Sequence, residues 1–131
     1  MTRFFYASVV PMRLSAKPRM DRVGKNLIIS EIKTLLSKQE RILFAYLHGS
    51  FTRDGPFRHI DVAIYLDPSG FSSSDDILEH GLALGAAFDM SISGATTDIR
   101  PLNLAPLLFK FALVTEGSLI LTKDEEKRAD F

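Results

Sequence analysis

Three short groups of residues in this chain have the types and spacing to act on a phosphate. The first is His48-Gly49-Ser50, at the end of an apolar run. Glycine lets a backbone approach a ligand closely, and the serine after it offers a hydroxyl and an N–H to a phosphate oxygen. The second is His59-Ile60-Asp61. On an extended strand, residues i and i+2 point to the same side, about 6.5 Å apart, so this imidazole and carboxylate can converge on one metal ion or bracket two. The third is Asp98, on a later extended segment, where a carboxylate can bind metal or take a proton from an attacking hydroxyl. Each group also has an ordinary reading. Gly-Ser after a strand is commonly only a turn, and acids are mostly surface residues. Against that, Asp61 is followed at once by Val62-Ala63-Ile64-Tyr65-Leu66, and an unpaired charge beside a buried sheet is costly. A cation is one candidate partner. A further alternative groups His48 with His59 and Asp61 as a hydrolase-type metal site.

The elements that must hold these residues can be read from hydrophobic period and punctuation. Ile28, Ile32, Leu35 and Leu36 repeat at helical spacing, which predicts a helix over 26–38. Residues 41–47 form an apolar run, read as a buried strand entering a tight turn. Residues 60–66 alternate, with Asp61, Ala63 and Tyr65 on one face and Ile60, Val62, Ile64 and Leu66 on the other. Ser72 to Ser74, followed by Asp75 and Asp76, start a helix running to about residue 90, with Ile77, Leu78, Leu82, Leu84 and Phe88 facing the core. Residues 96–102 read as an edge strand because Pro101 cannot donate to a ladder. Asn103 is expected to cap a helix over 104–116 that stops at Gly117. Residues 118–122 make a last strand, and the charged tail after Lys123 can begin another helix. The order predicts an α/β (α+β) domain, with a mixed sheet of about four strands and helices packed on it.

Composition narrows the class. One domain is the expectation for 131 residues, and 46% hydrophobic residues suit a soluble core. Sixteen basic and sixteen acidic residues cancel, so nucleic-acid binding is not indicated. Cysteine is absent, which excludes thiolate metal sites and disulfides and suits a cytoplasmic location. No apolar stretch is long enough to span a membrane. Residues 1–22 are basic and partly apolar, but Pro11, Met12 and Arg13 interrupt the run that a signal peptide needs. They are read as an N-terminal extension, with the domain proper at 23–131.

The stretch HGSFTRDGPFRHIDVAIYL resembles the signature of minimal nucleotidyltransferases in the DNA polymerase beta superfamily: a strand, Gly-Ser, a loop, then Asp-x-Asp opening a second strand. TDIRPLNLAPLLFKFALVTEGSLIL resembles the part carrying their third Asp. The resemblance implies that Gly49 and Ser50 hold the triphosphate of ATP, with Arg53 near a phosphate, and that Asp61 and Asp98 are catalytic. It also implies that His59, Asp61 and Asp98 stand where the three carboxylates of the pattern hold two magnesium ions, with Mn2+ as the alternative metal. It further implies transfer of AMP to a hydroxyl. Small stand-alone members are similar to antitoxins that modify a tyrosine on a HEPN ribonuclease toxin. His59 stands where the pattern has its first Asp. Imidazole suits manganese or zinc better than magnesium, so weaker magnesium binding is expected. A catalytically degenerate binding protein of the same fold is the alternative. Phe131 falls before a helix that such proteins commonly add, which reads as a truncated C-terminus.

Overall fold

The computed structural model describes residues 21–92 and 95–131; the expected extension lies, but for its last two residues, outside them. Helix α1 (Arg22–Ser37) begins earlier than its apolar period, because the Asp21 carboxylate accepts the Gly24 N–H at 2.8 Å and caps it. Strands β1 (Ile42–His48) and β2 (Ile60–Leu66) follow, joined through a single 3-10 turn, Ser50–Thr52. Helix α2 (Ser74–Ser91) starts with Ser73 accepting the Asp76 N–H, as the hydroxyl-acid run predicts. It leads to β3 (Thr97–Pro101), then α3 (Leu107–Glu116), β4 (Ser118–Thr122) and the short α4 (Glu125–Asp130).

The sheet has the order β3-β2-β1-β4. β1 is antiparallel to both β2 and β4, while β2 and β3 are parallel through the α2 crossover. The mixed four-strand sheet matches the expectation. Its two faces bury separate clusters. Ile60, Val62, Ile64 and Leu66 of β2 pack with Ile28, Ile32 and Leu36 of α1 and with Ile77, Leu84 and Phe88 of α2. On the other face Phe44, Tyr46 and Ala63 pack with Leu102 and Leu113, and Phe131 sets its ring against Phe44 at 5.4 Å.

Two expectations are corrected. Leu78 and Leu82 of α2 are exposed. The buried stripe runs through Ile77, Gly81, Leu84 and Phe88 instead, because Gly81 lets α2 close on β3: a Cβ there would lie 2.9 Å from the Pro101 ring. Asn103 does not cap α3, which starts at Leu107 after Pro106. Its side-chain amide instead accepts the Leu66 N–H at 2.9 Å and donates to the Leu66 carbonyl at 2.8 Å. The parallel ladder ends at Ile64 opposite Pro101, which has no N–H. An amide side chain carries the donor and acceptor of a peptide group, so Asn103 continues the ladder by one step. Asn103→Ala leaves both Leu66 groups unpaired. It is expected to lower unfolding free energy by about 2 kcal/mol, seen as a lower urea midpoint with an unchanged slope.

Candidate functional site

The register of the sheet assembles the site. His48, the last residue of β1, pairs with Asp61 on β2, and Asp61 pairs with Asp98 on β3. All three sit at the same end of the sheet. His59 lies just before β2 and directs its ring to the same side as Asp61, as the two-residue period requires: its Nε2 is 3.0 Å from the Asp61 carboxylate. One ligand atom from each of His59, Asp61 and Asp98 lies within 4.8 Å of the others. Atoms that share one ion about 2.0–2.3 Å away lie up to roughly twice that distance apart, so the three fit a single metal ion.

Gly49 closes the other side of this cluster. Its φ is 81°, a left-handed conformation that costs glycine nothing. A Cβ at Gly49 would fall 2.2 Å from an Asp61 carboxylate oxygen. The bare backbone is therefore what allows the chain to fold over Asp61. It then enters the Ser50–Thr52 turn, where Thr52 N–H bonds back to the Gly49 carbonyl and Arg53 N–H to that of Ser50. Among the described residues, the Ser50 and Phe51 N–H groups have no backbone acceptor, as expected at the start of a helical turn.

The remaining sequence candidates are placed differently. Arg53 lines a separate cavity of ≈ 500 Å³ with Lys25 and Ser118, to which none of the three cluster residues contributes. His48 is outside the cluster. Its ring meets Phe109 edge-on at 5.3 Å, and its Nε2 is buried without a hydrogen-bond partner. Burial holds the His48 imidazole below its ordinary pKa of 6.5, outweighing the pull of the nearby Asp61 carboxylate.

Two residues went unrecognised in the sequence. Arg100 reaches back to Asp98, with Nη2 at 3.1 Å and Nε at 3.2 Å from Oδ2. The i, i+2 spacing on β3 was the available signal. Lys25 is 8% exposed and donates to the carbonyls of Arg53 at 2.6 Å and Gly55 at 3.5 Å. Its ammonium also lies 5.5 Å and 5.4 Å from the ring centres of Phe51 and Phe57. It ties the loop after the Gly49 turn to α1. The clue was its position one step before the Ile28-Ile32-Leu36 stripe. Beside Asp98 and Arg100 opens a mostly apolar cleft of ≈ 640 Å³, walled by the displaced Leu78 and Leu82 together with Leu104, Pro106 and Phe109.

A family model described as polymerase beta, nucleotidyltransferase, matches residues 30–126. No curated protein matches the sequence. Among solved structures, the chain is similar to one of a tri-AMPylated Shewanella oneidensis HEPN toxin in complex with MNT antitoxin, at 20% identity and a TM-score of 0.53, covering 80% of this chain and 78% of that one. A toxin-antitoxin structure with AMP-PNP gives 20% identity and a TM-score of 0.51, over 77% of this chain and 78% of that one. The toxin-antitoxin MntA-HepT gives 19% and 0.51, over 79% and 78%. At these identities the likeness establishes the fold.

Two outcomes follow from this geometry. Gly49→Ala forces strain of roughly 1–3 kcal/mol into the turn and displaces Asp61. Mn2+ binding, followed by electron paramagnetic resonance, should weaken by at least about tenfold, equivalent to roughly 1.4 kcal/mol; undiminished affinity would contradict the close approach. For His48, the folded pKa lies below the unfolded one. The unfolded chain therefore takes up the proton first as pH falls below 6.5, and stability that is complete above 6.5 is lost on the acid side. Urea midpoints measured from pH 7.5 down to 5.5 should fall for the native chain and fall less for His48→Phe.

Proposed function

The chain belongs to the polymerase beta nucleotidyltransferase family, and we propose that it transfers AMP from ATP to a hydroxyl, acting as an antitoxin on a tyrosine of a HEPN toxin. The observation that carries this reading is the meeting of His59, Asp61 and Asp98 directly under the Gly49 turn. Support for the nucleotide and the acceptor comes from the similar structures, one holding AMP-PNP and one an AMPylated HEPN toxin.

In this reading the Gly49-Ser50 turn holds the triphosphate, and Arg53, which lines the separate cavity beyond that turn, adds positive charge only at a distance. His59, Asp61 and Asp98 hold a divalent metal, which would stabilise charge on the attacking and leaving oxygens during in-line displacement. Asp98 takes the proton of the acceptor hydroxyl as its oxygen bonds to the α-phosphorus and pyrophosphate departs. The imidazole of His59 makes a mixed nitrogen and oxygen ligand set, which favours Mn2+ over Mg2+. The partner reading is supported by α3, where Leu107, Leu108, Phe111 and Val114 are all exposed; contiguous apolar surface of this kind marks a protein interface. We place the activity in the cytoplasm. Among the described residues, no helix is long and apolar enough to cross a membrane.

A second reading has its own observation. With one imidazole in place of a carboxylate and a guanidinium on Asp98, the domain keeps a nucleotide or toxin site without turnover. The two are separated by incubating the chain and a HEPN protein with ATP labelled at the α-phosphate. Label on the toxin that requires Mn2+ and disappears in Asp61→Asn supports the enzyme. If only His59→Asp transfers label, the binding reading replaces it. If nucleotide binds to neither form, both fall.

A further inference from the structure

The Asp98 carboxylate is already engaged by a cation of the chain itself. Arg100 donates from Nε to both of its oxygens, at 3.2 and 3.4 Å, and Nη2 lies 3.1 Å from Oδ2. Residues i and i+2 of a strand share a face, so the β3 backbone holds this pair at the site. A guanidinium does not lose its proton in proteins. Arg100 is therefore a permanent positive charge at the cluster.

We propose that Arg100 is a built-in counter-cation of this site, and that the site consequently holds one divalent metal ion rather than two. The inference rests on the nucleotidyltransferase reading and adds its metal count. Three carboxylates facing two divalent cations leave one net positive charge. Two carboxylates, a neutral imidazole, a guanidinium and one divalent cation leave the same. The ligand geometry agrees. The three donor atoms lie within 4.8 Å of one another, the span of one coordination sphere. The Asp98 Oδ2 is taken up by Arg100 Nε and Nη2, at 3.2 and 3.1 Å, rather than free for a second ion. The Arg100 side chain is 70% exposed and lines the cleft beside Asp98. It can therefore swing onto an anionic group bound there while staying in contact with the carboxylate.

The test counts Mn2+ bound to the full chain with a saturating non-hydrolysable ATP analogue, by electron paramagnetic resonance. The native chain should bind one ion and give no spin-coupled pair. Arg100→Ala should gain a second ion, coupled to the first, whereas Arg100→Lys, which keeps the charge, should stay at one. Arg100→Ala removes the charge that offsets the Asp61–Asp98 pair, so its fold is checked by its urea midpoint, and the native count stands without any variant. A coupled pair in the native chain overturns the inference and leaves the nucleotidyltransferase reading intact. A single ion in Arg100→Ala does the same. Failure of the native chain to bind either Mn2+ or the analogue removes the nucleotidyltransferase reading and this inference with it.

Discussion

Two carboxylates on neighbouring strands repel, and the surroundings of Asp61 and Asp98 are organised by that repulsion. The parallel register sets them directly opposite each other, an arrangement that destabilises a sheet unless opposite charge is supplied. Arg100 supplies it on the Asp98 side. His59 sets its Nε2 3.0 Å from the Asp61 carboxylate. Gly49 has no side chain to compete for that space. The site is thus a concentration of negative charge that the fold creates by register and offsets with the Arg100 guanidinium.

That register depends on an edge strand being held firmly. Among the described residues β3 has only β2 beside it, and its last residue, Pro101, lacks an N–H. Three devices fix it. At its start, Asp89 accepts from both the N–H and the hydroxyl of Thr97, at 2.7 and 3.0 Å. Along its length, α2 closes over it where Gly81 meets Pro101. Beyond its end, the Asn103 amide bonds the backbone of Leu66. A slip of one residue would turn Asp98 to the opposite face, so these contacts decide whether Asp98 joins His59 and Asp61. Lys25 plays the corresponding part for the Gly49 loop by holding its carbonyls on α1.

The chemistry of the site follows from its mixed charge. An imidazole among oxygen ligands lowers both the negative charge and the hardness of the set. The guanidinium on Asp98 lowers the charge further while adding a donor that matches phosphate geometry. The cleft beside Asp98 and Arg100 adds apolar surface from Leu78, Leu82, Leu104 and Phe109. Charged groups and apolar surface therefore meet at the β3 side of the sheet.

The sequence alone determined what is local. A two-residue period put His59 and Asp61 on one side, Ser73 and its acids started α2, and the apolar alternation of 60–66 defined β2 and its two faces. The Gly-Ser turn and the third Asp were legible as a pattern because each depends only on neighbours in the chain. Only the tertiary structure decided what depends on pairing between distant segments: the alignment of Asp61 with Asp98, the burial of Lys25, the turning of Leu78 and Leu82 to a cleft, and the use of Asn103 as a ladder step rather than a cap. An asparagine before a helix satisfies either role equally well by local energy. The free N–H and carbonyl of Leu66, 37 residues away, chose between them, and no local pattern carries that information.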